Sequence, residues 1–113
     1  MGLKLFSLSL IKILIYFLAQ SVVAKEKKDL GKSIYFNECA SCHDGGFWGW
    51  LYGAPEIGVE NEWEEFLTKG IPDLVDAAIK GTEGGMDPKG GCDDCTNEDI
   101  KAAVKYIVSQ TQK

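Results

Sequence analysis

The sequence predicts a small all-α fold, with about four short helices joined by glycine-rich loops. No stretch of any length alternates apolar and polar residues as a half-buried strand does. Apolar residues instead recur at helical spacing, most clearly near the C-terminus. Residues 44–58 and 81–95 are rich in glycine and each contains a proline, which is typical of loops. The 113-residue chain therefore has room for one small domain.

Residues 1–24 have the pattern of a cleaved secretory signal peptide. Lys4 precedes an apolar run, and the segment ends in Val22, Val23 and Ala24, so cleavage after Ala24 is predicted. An uncleaved anchor remains open, although the apolar stretch after Lys12 is shorter than the roughly 20 residues that cross a bilayer. We therefore expect a domain of residues 25–113 in the periplasm, with no stable membrane insertion after cleavage.

Two helices are predicted in the first half of the domain. Asp29 is suited to cap a helix that leads into Cys39. Asn61 and Glu64 form a capping-box pattern for a second helix, which should stop at Gly70. Residues 44–58 between them are expected to form a loop, and an unusually aromatic one.

Two more helices are predicted in the second half. Pro72 suits the first turn of a helix that ends at Gly81. Thr96 is expected to cap the last helix. Its apolar positions follow at i, i+3, i+4, i+7 and i+8: Ile100, Ala103, Val104, Ile107 and Val108.

The sequence CASCH at residues 39–43 carries the clearest chemistry of the chain. Two thiols and an imidazole at this spacing are what covalent attachment of one haem c requires: each thiol adds across a vinyl group, and His43 offers a nitrogen to the iron. A second axial ligand has one candidate of the usual types. Met86 is the only methionine besides Met1, and His43 is the only histidine.

Each cysteine pair has competing interpretations. Cys39 and Cys42 could be a redox dithiol, but no βαβ pattern surrounds them. All four cysteines could bind zinc, yet 49 residues separate the two pairs, where roughly 15 to 20 is usual. Cys92 and Cys95 are best interpreted as a local disulfide in an oxidising compartment, with two packed free thiols as the alternative. Met86 could also simply fill the core.

The order of these features resembles the class I c-type cytochromes. The run MDPKGGCDDC at residues 86–95 resembles the cytochrome c5 type in particular. The resemblance implies thioethers at Cys39 and Cys42, with His43 and Met86 as axial ligands of the iron. It also implies a hydrogen bond from the ring of His43 to the carbonyl of Pro55. The loop between His43 and Gly53 is longer than is usual for this type.

The implied function is that of a soluble one-electron carrier in a respiratory chain, not an enzyme. Its partners would be redox proteins, namely a membrane electron donor and a terminal oxidase or reductase. The carrier itself is expected to be a monomer or a weak dimer. Without residues 1–24 the chain has 10 lysines, no arginine and 17 acidic residues, a net charge of −7. Nucleic-acid binding is excluded because it needs a basic surface.

Three functional alternatives stay open. The chain could be a haem sensor or a catalytic haem protein with a labile Met86, or a fixed haem subunit of a larger redox complex. The aromatic segment 47–52 could line the haem or face a partner.

Overall fold

The structure, a computed structural model, describes residues 2–112, with side chains from residue 7 onward. This part of the chain is helical and has no strand, which confirms the predicted all-α fold and leaves no βαβ unit for a thioredoxin-like site. The α-helices are α1 (Gly2–Ile34), α2 (Ala40–His43), α3 (Phe47–Tyr52), α4 (Glu60–Thr68), α5 (Ile71–Lys80) and α6 (Asn97–Thr111). A π-helical turn, Tyr35–Cys39, joins α1 to α2, and a 3₁₀ turn covers Pro88–Gly91. The described part of the chain has more helices than the four predicted, because α2 and α3 were not predicted as separate elements.

The predicted cap at Asp29 is wrong, because Asp29 lies inside α1. No proline interrupts residues 2–34, and Gly31, the one glycine inside the helix after Gly2 at its start, costs only about 1 kcal/mol of helix propensity. The helical stretch from Ser7 to His43 is long and apolar enough to cross a membrane by length and composition, a test that signal sequences also pass. Cleavage after Ala24 stays a prediction.

Helix α1 packs against α6, and Gly31 lies where the two cross. A β-carbon at Gly31 would collide with the backbone carbonyl of Ala102 and would touch Tyr106. The missing side chain thus lets the two helices approach closely. The packing of α1 on α6 therefore sets the position from which the chain enters residues 39–43.

Two apolar clusters form the core, and α6 contributes to both. The larger has Ala78, Cys95, Ile100, Val104 and Val108 at its centre, and the smaller has Tyr35, Trp63 and Ile107. Leu67 packs against both clusters. Met86 touches the larger cluster and Cys39 the smaller, so α6 supports both halves of the candidate site.

The predicted cap of the second helix is also wrong, since α4 begins at Glu60 and its N-cap is Val59. The chain does leave this helix before Gly70, as predicted, through a cap at Lys69. Helix α5 has Pro72 in its first turn and ends before Gly81, and Thr96 caps α6 through a capping box with Asp99. These three features confirm the predictions, because each rests on a strong local signal.

Helix α3 corrects the prediction that residues 44–58 form only a loop. Gly46 precedes it in an extended conformation, and Gly53 ends it in the left-handed conformation (φ 64°) that suits glycine after a helix. Inside it, Gly49 is buried against the carbonyl of Cys42, where a β-carbon would collide. The glycines that suggested a loop therefore mark the two ends of the short helix α3. The glycine inside it lets α3 pack closely against α2.

Candidate haem site

His43 ends α2 and is buried, with 9% of its surface exposed. Its ring nitrogen Nδ1 lies 2.8 Å from the carbonyl oxygen of Pro55. A carbonyl can only accept a hydrogen bond, so Nδ1 is the donor and carries the proton. The lone pair of Nε2 is then available to a metal, in the tautomer that a ligand histidine needs.

The loop that accepts this bond is itself held at several points. The indole Nε1 of Trp63 donates to the carbonyl of Glu56 at 2.8 Å, and the amide of Ile57 donates to the carbonyl of His43 at 2.8 Å. The amide of Glu56 donates to the carboxylate of Glu62 at 2.7 Å. Helix α4 therefore fixes the position of Pro55, and through it the orientation of the His43 ring.

Trp63 supports this loop through contacts that the sequence did not predict. Its ring centroid lies 5.6 Å from that of His43, besides its bond to Glu56. The contact joins a helix to a preceding loop, and no periodic pattern reveals such a pair. The one available signal was a tryptophan at a core position, whose N–H needs a partner once buried.

Cys39 and Cys42 are both free thiols in the structure and partly buried. Cys39 closes the π-helical turn and Cys42 lies in α2, so a widened turn directly precedes the motif. Burial, reinforced by the nearby Glu38 and Cys42, raises the pKa of the Cys39 thiol to about 11. The thiol is therefore neutral at pH 7 in this fold.

Met86 lies in the loop after α5, and both its backbone amide and its backbone carbonyl form hydrogen bonds with Thr82. The amide of Thr82 donates to the carbonyl of Met86 at 2.9 Å, and the amide of Met86 donates to Oγ1 of Thr82 at 3.3 Å. Its partly buried side chain packs against the larger core cluster. A thioether is thus held at a defined place beside the core.

Cys92 and Cys95 are joined by a disulfide in the structure, at the step from the Met86 loop to α6. The ammonium of Lys89 donates to the carbonyl of Cys95 at 2.8 Å and ties the loop to the same point. A disulfide leaves these sulfurs unable to ligate zinc. Within residues 2–112 no three His, Cys, Asp or Glu side chains gather as a metal site.

These residues fit a covalently bound haem by the chemistry of their donors. Cys39 and Cys42 offer two free thiols one turn apart, His43 offers Nε2, and Met86 offers a thioether. Cys39 adjoins the smaller apolar cluster and Met86 the larger one. Covalent attachment would use the thiols, and the iron would take the other two donors.

Comparison with known proteins gives a consistent family. Residues 26–107 match the family model described as "Cytochrome C oxidase, cbb3-type, subunit III". The chain is 34% identical over 94 residues to cytochrome c-555 of Prosthecochloris aestuarii, covering 75% of this chain and 91% of that protein. It is 32% identical over 76 residues to cytochrome c5 of Ectopseudomonas mendocina, covering 66% of this chain and 82% of that protein.

A solved structure agrees in fold. The match is to a chain in the crystal structure of an electron transfer complex of nitrite reductase with cytochrome c, with a TM-score of 0.65 and 30% identity. It covers 74% of this chain and 95% of that one. Together with the CASCH motif on α2 and the methionine loop before α6, these matches show that the chain belongs to the class I c-type cytochromes.

Proposed function

We propose that this chain is a one-electron carrier with a single haem bound through Cys39 and Cys42, and with His43 and Met86 as the axial ligands of the iron. The observation that carries the proposal is the bond between Nδ1 of His43 and the Pro55 carbonyl at 2.8 Å. It orients the imidazole with Nε2 available, which is the arrangement of a histidine that ligates a metal.

Haem, when bound, supplies reversible one-electron exchange between ferrous and ferric iron. The chain's own residues would set how that exchange proceeds. The Pro55 carbonyl makes the imidazole of His43 a better electron donor, and the thioether of Met86 favours the ferrous state. The apolar clusters around them disfavour the extra positive charge of ferric iron.

With His43 and Met86 both bound to the iron, no position would be left for oxygen or peroxide. Transfer is therefore outer-sphere, and the protein acts as a carrier and not as an enzyme. The cytochromes c among its relatives support this assignment.

Replacing Met86 by Ala tests the ligand set. The ferric protein should lose the weak absorption band near the red edge of the visible range that marks Met–Fe ligation, while haem stays covalently bound. Ferrous Met86→Ala should bind carbon monoxide readily. Leu74→Ala is the matched control, because Leu74 packs against the same cluster but has no donor atom.

Two results would contradict the proposal. Wild-type ferric protein could lack the band, or wild-type ferrous protein could bind carbon monoxide readily at neutral pH. Either result would favour a sensor or a catalytic haem protein.

The proposed place of action is the periplasm, in a respiratory chain. The apolar helix at the N-terminus is compatible with an export signal. The matched cytochrome c was crystallised in an electron transfer complex with nitrite reductase. This supports a role in which the present chain takes electrons from a membrane donor and passes them to a terminal reductase or oxidase.

A second candidate is a fixed haem subunit of a larger complex. It is favoured by the name of the matched family, subunit III of a cbb3-type oxidase, and by the unbroken helix from Ser7 to His43. Cell fractionation distinguishes the two. We expect the haem-stained protein in the soluble periplasmic fraction, and recovery only with a membrane complex would establish the second candidate.

A further inference from the structure

Helix α3 presents an aromatic surface to solvent. Its outward side chains, which we call the α3 face, are 49 to 76% exposed: Phe47, Trp48, Trp50, Leu51 and Tyr52. Aromatic residues, tryptophan and tyrosine above all, carry much of the binding energy of protein interfaces. Four aromatic side chains and one leucine on a six-residue helix exceed the scattered apolar residues of an ordinary surface.

The α3 face is rigid, because its rings pack on one another and its backbone is anchored. The rings of Phe47 and Trp50 lie 6.1 Å apart, and those of Trp48 and Tyr52 stack at 6.1 Å with 16° between their planes. On the opposite side, Gly49 is buried against the carbonyl of Cys42. A preorganised surface of this kind loses little conformational entropy when a partner binds. The α3 face also adjoins Cys42, one of the two residues that would hold the haem.

Acidic residues lie at the N-terminal end of this face, in a stretch of sequence that has no lysine or arginine. This stretch, residues 33–68, contains seven carboxylates, at Glu38, Asp44, Glu56, Glu60, Glu62, Glu64 and Glu65. The carboxylate of Glu56 lies against Gly45, just before α3 begins, and Glu62 binds the amide of Glu56. Asp44, the C-cap of α2, lies two residues before the N-cap of α3. The apolar face therefore has a negatively charged rim at its N-terminal end, formed by Asp44 and Glu56.

We propose that the α3 face is the docking surface for a redox protein with an apolar patch rimmed by lysine and arginine. This inference rests on the proposed function as an electron carrier. On docking, one electron would pass from ferrous haem to the oxidised one-electron centre of the partner, and no bond would form or break. A small apolar contact with complementary charge suits such brief encounters.

The charge pattern argues against two other occupants. Surface helices that bind membranes have lysine and arginine beside their apolar face, and the anionic surface of a membrane would repel this rim. A second copy of the chain would bring two acidic rims together, which disfavours association. A basic protein partner is the occupant that the rim attracts.

The test uses the haem-loaded protein with a lysine-rich mitochondrial-type cytochrome c as the basic probe. Stopped-flow absorbance gives the second-order rate constant for oxidation of the ferrous protein by the ferric probe. Trp50→Ser combined with Phe47→Ser should lower this constant about tenfold, the usual scale for losing an interface anchor. Glu56→Gln should lower it at low ionic strength only. Ile71→Ser, an exposed apolar residue on α5, is the matched control and should leave it unchanged.

Oxidation by ferricyanide, which needs no docking, separates this inference from the proposed function. If the wild-type protein lacks the Met–Fe band or does not exchange electrons with ferricyanide, the carrier function fails. If those properties are intact and the α3 variants react with the probe at the wild-type rate, the docking surface alone is refuted. Binding to phosphatidylglycerol vesicles, or dimerisation at micromolar concentration, that the α3 variants abolish would also refute it, in favour of a membrane or a second copy.

Discussion

Tyr35 is a buried residue whose phenol is held in its neutral form by the fold. Tyr35 is 1% exposed, and its hydroxyl donates a hydrogen bond of 3.4 Å to the carboxylate of Asp44. Burial, together with the negative charge and the hydrogen bond of Asp44, raises the pKa of Tyr35 well above its ordinary value. The neutral phenol is therefore the form that the folded state requires.

Replacing Tyr35 by Phe should change how stability depends on alkaline pH. The folded pKa lies above the unfolded value of about 10, so this contribution is complete below pH 10 and is lost as pH rises through the folded pKa. At pH 7 the variant should lose about 0.5–1.5 kcal/mol, the usual contribution of one hydrogen bond. Above pH 10 it should lose stability less steeply than the wild-type protein.

Denaturant unfolding of the haem-loaded protein at pH 7 and at several values above pH 10 measures both effects. Tyr106→Phe is the control, since Tyr106 packs on the ring of Tyr35 at 5.4 Å. It should keep the wild-type pH dependence. Parallel alkaline declines in Tyr35→Phe and the wild-type protein would contradict the role of this phenol.

At the scale of single residues, the sequence predicted candidate site residues best where the chemistry requires particular residue types at a fixed spacing. The CASCH motif and the sole internal methionine named the candidate donors without any structure. The partners of Trp63 and Tyr35 were not foreseen, because each contact joins residues of different elements. Such contacts depend on how the elements are placed, which no local pattern encodes.

At the scale of elements, the crossing of α1 and α6 depends on Gly31. Gly31→Ala should destabilise the protein by about 1–3 kcal/mol, because the new methyl group overlaps the backbone of Ala102 and the helices must shift. The gain in helix propensity, about 1 kcal/mol, offsets only part of this. Thermal and denaturant unfolding of the haem-loaded protein measure the change.

Gly46→Ala is the matched control for this crossing. It has no atom within 4 Å of the new β-carbon, and its φ of −80° suits any residue. We expect its stability to stay within about 0.5 kcal/mol of the wild-type protein. A Gly31→Ala protein as stable as this control would show that the helices tolerate a wider crossing.

Element boundaries were foreseen where capping chemistry is strong and missed where tertiary contacts decide. Thr96 and Asp99 form both bonds of the capping box that opens α6. The pattern of Asn61 and Glu64 caps nothing, since the N-cap of α4 is Val59, two residues before Asn61, and Glu62 instead binds the Pro55 loop. Helix α3 was missed because Gly49, a poor helix former by itself, is required there for contact with Cys42.

At the scale of the whole molecule, the chain combines an exposed apolar N-terminal segment with a small domain that contains one disulfide. The 18-residue apolar window of the first helix is 0% buried, so the domain does not use it for packing. A domain of about 90 residues has a marginal core, and bound haem and a disulfide are common ways to reinforce one. We therefore expect a mature protein without residues 1–24 that carries both reinforcements.

The intact mass of the protein purified from periplasm tests this composition in one measurement. It should equal a chain that begins at Lys25, plus one haem, less the two hydrogen atoms lost when Cys92 and Cys95 form their disulfide. Treatment with a thiol reductant under denaturing conditions is the internal control. It should restore the two hydrogen atoms and leave the haem attached, because thioethers resist reduction while disulfides do not. A mass that includes residues 1–24 would mean that the N-terminal helix is kept as an anchor, and a mass without haem would contradict attachment at Cys39 and Cys42.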